Sequence, residues 1–187
     1  MTARVTELLM PKILLVISGL PASGKTTLAR RIAPALRLPL IDKDDILDRL
    51  FEARGVGDAA WRRALSRESD AILERKALAS NGAVLASFWR LSGMPDDSGT
   101  PTGWLAAASH RVVNVHCMCD PETAARRFAQ RQRHPGHLDN TRTLAEITEA
   151  FRSLAHLGPL NVGTTIEVDT TGQPELSPLI AAIRVAL

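Results

Sequence analysis

The chain has 187 residues, 45% of them hydrophobic and 23% charged, with a net charge of +3 at pH 7. That length suits one domain. No apolar run reaches the roughly 18 residues of a membrane span, and the charge suits an anionic ligand while being too mild to announce nucleic acid.

Residues 1–11 read as a short tail without the apolar core of an export signal. The only cysteines, Cys117 and Cys119, stand two apart and cannot frame a disulfide scaffold, so a reducing cytoplasm is the expected compartment. A first strand is expected over 12–18 (KILLVIS), then a glycine-framed loop and a helix over 24–36 that Pro34 should kink or end early. A strand over 38–42 leads to a helix over 44–53. A long amphipathic helix follows over 59–80, stopped by Asn81-Gly82 because glycine suits the left-handed position after a helix.

A third strand is expected over 83–87. The stretch 88–109 is irregular, and a loop of that length in a small domain is usually functional or disordered; Trp89, Arg90 and Trp104 bracket it as candidate walls of an acceptor pocket, with ordinary partly buried tryptophans as the alternative reading. Next come a strand over 111–117, a helix over 121–133, surface-loop histidines at 134 and 137, and a helix over 141–156. A strand over 164–169 and a helix over 175–186 close the chain. Cys117 and Cys119 should point to one side of their strand and pack against a helix. Apolar runs alternating with helical stretches predict an α/β fold on a mostly parallel sheet.

Gly19-Leu20-Pro21-Ala22-Ser23-Gly24-Lys25-Thr26 fits G-x-x-x-x-G-K-[ST] with a strand before it and a helix after. The pattern makes physical sense as a phosphate cradle. Glycines allow tight turns and close backbone approach, successive N–H groups converge on an anion, and the helix N-terminus adds its dipole. Gly19, Pro21, Ala22, Ser23, Gly24, Lys25, Thr26 and Thr27 are therefore expected to hold the phosphates of ATP. Lys25 would neutralise the β- and γ-phosphates and Thr26 would ligate Mg²⁺.

A base-reading N-K-x-D stretch of GTPases is absent, and Asp169-Thr-Thr-Gly172 lies too far from the loop to serve as the switch acid. Motor ATPases need modules that 187 residues cannot hold. A small phosphotransferase remains.

"GLPASGKTTLARRIA" followed by "LPLIDKDDILDRLF", then "VHCMCDPETAARRFAQRQR" and "IEVDTTG", resembles the P-loop kinase group that includes chloramphenicol 3-O-phosphotransferase and the kinase domain of phage polynucleotide kinase. The resemblance spans residues 12–172. It implies a three-layer P-loop NTPase fold over 12–187, with a five-stranded parallel sheet of order 2-3-1-4-5 and a small helical lid around 121–141.

It also implies that Asp44, in "IDKDD", takes the proton of the attacking hydroxyl, with Asp42 and Asp45 beside it; Asp42 is the expected metal-side acid with Thr26. The other reading of Asp44 is a helix cap. Arg127 and Arg131, four apart, are expected on one helix face with Arg133 just beyond. Arg131 and Arg133 would stabilise the transferring phosphoryl group and Arg127 would serve the nucleotide; a solvated arginine face is the alternative. Arg90 and Trp89 are expected at the acceptor, Arg90 against a phosphate or carboxylate.

One departure stands out. The resembled kinases carry a metal-shell acid at the end of the third strand, where this chain has Ser87, so Asp42, Asp44, a water or Ser87 itself takes that role. The expected activity is transfer of the γ-phosphoryl group of ATP to a hydroxyl of a small molecule such as an antibiotic, sugar or nucleoside. A 5′-hydroxyl polynucleotide kinase is the alternative enzyme, against which Leu47 replaces that group's arginine two positions past the double acid. A nucleotide-binding regulator with weak ATPase activity is the alternative outside catalysis.

Overall fold

The computed structural model describes residues 12–108, 110–139 and 142–187. The expected N-terminal tail over 1–11 lies outside them, as do Asn140 and Thr141 at the end of the expected lid. β1 (Ile13–Gly19) is buried from Leu14 through Ser18. It alternates Leu15 and Ile17 to one face with Leu14 and Val16 to the other, the period of two that a strand buried on both sides requires.

α1 (Lys25–Leu36) follows the glycine loop and leads to β2 (Leu40–Asp42) and α2 (Lys43–Arg54). α3 (Ala59–Ala79), β3 (Gly82–Ala86), α4 (Gly103–Ala107) and β4 (Arg111–Met118) come next. α5 (Pro121–Gln130), α6 (Leu144–Ala155), β5 (Thr164–Asp169) and α7 (Leu176–Ala186) complete the order.

The five strands are all parallel in the order β2-β3-β1-β4-β5, the expected topology. On one face, Leu28, Ala29 and Ile32 of α1 and Leu179, Ile180 and Ile183 of α7 meet Leu15, Ile17, Val84, Val113 and Val115. On the other, Leu73 and Ala77 of α3, Ile46 of α2 and Leu105 of α4 meet Leu14, Val16, Ala83 and Leu85. Every crossover therefore returns the chain so that all strands end at one edge, where the loops gather.

Several expectations are corrected. Pro34 does not end α1, which runs on to Leu36 and stops with Arg37 left-handed at φ +56°. The carbonyl that Pro34 leaves without a helical partner belongs to Arg30, on the exposed side. Gly82 is not a left-handed cap of α3. Ser80 ends that helix in an extended conformation with its hydroxyl on the Ala77 carbonyl at 2.7 Å. Gly82 instead opens β3 at φ +142°, where a Cβ would come 3.1 Å from the Ile13 carbonyl. Cys117 packs under α1 and α7, while Cys119 lies past the strand end and joins a separate cluster with Ala124, Ala125, Ile147 and Phe151.

The largest correction concerns Trp89. It is 2% exposed, belongs to the core under α3, and satisfies its indole N–H on the Ile17 carbonyl at 2.9 Å. A buried tryptophan whose one polar atom is paired is a packing residue, so Trp89 fixes the irregular stretch to the sheet and does not wall an acceptor pocket. Trp104 donates to the Pro101 carbonyl at 3.0 Å and packs at the edge of the same core.

Candidate active site

β1 ends in Gly19 at φ +132°, where a Cβ would stand 2.5 Å from the Cys117 carbonyl. Only glycine fits there, because the loop turns against the end of β4. Ala22 at φ +58° and Gly24 at φ +98° set the curl that precedes α1. Ser23 is fully buried in this loop and its Oγ has no protein partner. Lys25 is folded back over the loop, its Nζ donating to the Leu20 carbonyl at 2.6 Å and the Gly19 carbonyl at 3.1 Å. Burial lowers its pKa to about 8, with the charges of Cys117, Asp44 and Asp42 acting in the opposite sense. A cation held there without a full counter-charge is matched to an anion.

Thr26, on the first turn of α1, donates its hydroxyl to Asp42 Oδ2 at 2.9 Å. Asp42 ends β2 and caps α2, its other oxygen accepting from the Asp44 amide at 3.0 Å. Burial, then the charge of Asp44, pushes the Asp42 carboxyl up to about 6. This buried oxygen pair fits magnesium, a hard cation that takes one or two protein oxygens and completes its shell with phosphates and waters. No cluster of three or more His, Cys, Asp or Glu side chains poised for a metal exists among the described residues.

Because Asp42 does the capping, the carboxylate of Asp44 is left for another partner. It pairs with Arg133 at 2.7 Å.

The segment after α5 also departs from the expected helix. α5, capped by Asp120 with Pro121 at its first turn, stops at Gln130, and Arg131 is extended. Arg127 and Arg131 therefore do not share a helix face. Arg127 reaches the carbonyls of Thr170 at 2.9 Å and Thr171 at 2.6 Å, tying α5 to the loop after β5. Arg131 lies over the Phe128 ring, 4.0 Å from its centroid, and binds Asp139 Oδ2 through Nε at 3.1 Å and a terminal nitrogen at 2.9 Å. Arg133 bonds the same oxygen at 3.2 Å, so Asp139 joins the two arginines and Arg133 links them to Asp44.

The histidines are not surface residues. His137 is 3% exposed and its Nε2 lies 2.6 Å from Asp48 of α2, while His134 stacks on Phe51 with ring centroids 5.2 Å apart. A Cβ on Gly136 would come 2.7 Å from the Phe51 ring. The "HPGH" run is thus a latch between this loop and α2.

On the far side, Arg90 lines the cleft but is neutralised by its own loop. It donates to the Ser98 carbonyl at 3.0 Å and pairs with the Asp96 carboxylate at 3.0 Å. Sequence reasoning missed Asp70 and Lys43. Lys43 Nζ pairs with Asp70 at 2.6 Å, Thr100 donates to Asp70 at 2.7 Å, and Ser87 lies 2.5 Å from Thr100. Since Thr100 spends its one proton on Asp70, Ser87 donates to Thr100 and presents its own oxygen as an acceptor. An acid from α3 is thereby coupled to the strand end that lacks one. The available signal was Asp70's place beside Ser69, within the buried stripe Leu65, Ser69, Leu73, Ala77.

One cleft of about 1580 Å³ runs along these groups, with Lys25 and Thr26 at one part and Asp44, Asp70 and Arg90 along the rest. A family described as an AAA domain (AAA_33) matches residues 14–154, well over half of the chain. The chain belongs to this family.

The AAA-domain chain is 38% identical to a shikimate kinase of Corynebacterium glutamicum over 78 residues, which are 41% of this chain and 45% of that one. It is 27% identical to a cytidylate kinase of Pyrobaculum calidifontis over 125 residues, 64% and 60% of the two chains. The chain thus spans about half the length of the curated relatives it matches. A solved structure of a candidate kinase from Chloroflexus aurantiacus superposes with a TM-score of 0.76 at 26% identity, over 95% of this chain and 100% of that one. A shikimate kinase of Bacteroides thetaiotaomicron, at TM-score 0.57 and 18% identity over 92% and 96%, shares the fold. The P-loop kinase level of the sequence resemblance holds. These relatives give no support to the finer likeness to chloramphenicol phosphotransferase or polynucleotide kinase. No helix among the described residues is long and apolar enough to cross a membrane.

Proposed function

We propose that this protein is a P-loop phosphotransferase that moves the γ-phosphoryl group of ATP to a hydroxyl of a small molecule. The observation that carries this reading is the division of labour at the end of β2. Asp42 caps the helix and holds Thr26, which leaves the Asp44 carboxylate facing the cleft on Arg133. Gly19 to Thr27 would cradle the phosphates, and Lys25 would leave its carbonyls for the γ-phosphate. Thr26 and Asp42 would hold magnesium, which when bound neutralises charge on the phosphates.

The acceptor oxygen attacks the γ-phosphorus as Asp44 takes its proton, the bond to the β-phosphate oxygen breaks, and ADP leaves. Arg131 and Arg133 would stabilise charge on the transferring group, and their loop would shield the cleft from water. Arg127 would border the nucleotide through the loop after β5. Arg90 shapes the acceptor side by holding the 96–98 turn.

The test is ATP consumption with Mg²⁺ against a panel of hydroxylated compounds, with a 5′-hydroxyl oligonucleotide included. A small molecule that accelerates turnover and gains one phosphate by mass is the expected result. Acceleration by the oligonucleotide alone, or slow ATP loss that no acceptor changes, would overturn it.

A pH dependence follows from Asp42. Its folded pKa, raised from 3.8 to about 6, means that the protonated form predominates below that value and the carboxylate above it. Mg²⁺-dependent tightening of nucleotide binding is therefore expected to fade as pH falls through about 6, and Asp42→Asn should abolish that pH dependence. Calorimetric titration of ATP with and without Mg²⁺ at pH 5 and 7.5 reads it. The same shift makes Asp42 favour folding below 3.8 and lose that contribution as pH rises through about 6.

A further inference from the structure

We propose that the acceptor carries an oxyanionic group, a carboxylate or a phosphate, that Arg62 and Arg67 of α3 receive. This rests on the reading of the cleft as an acceptor site and narrows the substrate class. Lys43 is paired with Asp70, Arg90 with Asp96, Arg131 with Asp139, and Arg133 with Asp139 and Asp44. Arg127 is occupied by two backbone carbonyls.

Arg62, Arg63 and Arg67 line the same cleft from the N-terminal half of α3. No ion pair or hydrogen bond joins their side chains to another of the described residues. The Nε of Arg62 is shielded from solvent and still unpaired, which is unfavourable until a partner arrives.

Residues 63 and 67 are one helical turn apart, so their like charges repel. The acids nearby do not relieve them. Glu68 is taken by Arg54, Asp70 by Lys43, and no ion pair joins Glu74 or Asp97 to these arginines. Arg62 also lies near enough to the Lys43 ammonium to disfavour its charge, and Lys43 opens α2 one position before Asp44. Unpaired guanidiniums lining the cleft that also holds the Asp44 carboxylate are available to a planar or tetrahedral oxyanion on the same acceptor. Arg90, the arginine first expected in this role, is already neutralised.

The experiment is a calorimetric titration with glycerol, D-glycerate and sn-glycerol 3-phosphate, which share a hydroxylated carbon chain and differ in carrying no anion, a carboxylate or a phosphate. It is run with saturating AMP-PNP and Mg²⁺, so that the P-loop is filled and cannot bind the anions. It is repeated without nucleotide, so that absence of AMP-PNP binding would count against the phosphotransferase reading while the arginines are still tested. At least one anion is expected to bind about tenfold or more tighter than glycerol, and the Arg62→Gln/Arg67→Gln double variant should lose about tenfold of that affinity. The affinity of that variant for AMP-PNP and its melting temperature report its folding. A carboxylate acceptor favours glycerate and a phosphate acceptor favours glycerol 3-phosphate. Glycerol binding as tightly as the anions, no saturable anion binding, or anion binding undiminished in the folded double variant would overturn the proposal. So would binding of a 5′-hydroxyl oligonucleotide with neither small anion.

Discussion

Lys25→Ala is expected to reduce turnover by at least about 10³-fold, the scale seen when a preorganised charge on a transferring group is removed. Lys25 is the loop's only cationic side chain, it is 9% exposed, and its amine sits on two carbonyls of the loop that would surround the phosphates. The same burial makes a second, opposite expectation. With a pKa lowered from 10.5 to about 8, the folded state disfavours the ammonium by about 3 kcal/mol at neutral pH. The sign follows from the depressed value: the penalty is full below pH 8 and fades as pH rises from there toward 10.5. Lys25→Met, which fills the space without charge, should therefore melt at or above the wild-type temperature at pH 7 while losing turnover as completely. Steady-state rates and thermal melts of the two variants read both effects. A retained rate in either would sink the proposed use of the loop.

Asp44→Asn should lower kcat by about 10²–10⁴-fold, the range of a positioned general base, with ATP affinity little changed. The expectation is specific because capping of α2 belongs to Asp42 and survives the substitution. Arg133 also keeps Asp139 as a partner, so the loop after α5 retains its anchor. If the variant instead demands far more Mg²⁺ and binds ATP weakly at ordinary Mg²⁺, Asp44 belongs to the metal shell and another group takes the proton. Ser87 bears on that outcome. Its proton is directed to Thr100 and on to Asp70, so its oxygen is available to a water of the metal shell without a carboxylate on β3.

Much of the architecture was legible in the residues. The buried runs 13–18, 83–86 and 112–117 are apolar and β-branched enough to be strands, and the five expected strands all appear, with β5 at its expected bounds. The glycine loop was legible because its function is carried by backbone, so the residue types allowing that backbone are themselves the signal. Asp42 and Asp44 were singled out, but the choice of which caps and which faces the cleft needed coordinates. Two acids two apart at a helix start are equivalent on paper.

The features that residue order alone dictates are local: the periodicity of strands and helices, the turn glycines, the phosphate loop and the short-range caps such as Asp120 on α5 and Thr143 on α6. These depend on neighbours within a few residues, where spacing alone sets geometry. The partners of the long polar side chains are set by the packed fold. His137 meets Asp48 across 89 positions, Trp89 meets Ile17 across 72, Arg127 meets Thr170 across 43, and Thr100 meets Asp70 across 30. No spacing rule reaches that far. Each pair exists because the strand order 2-3-1-4-5 brings all the strand ends to one edge, and burial there forces every charge and indole that arrives to find a partner or wait for a ligand.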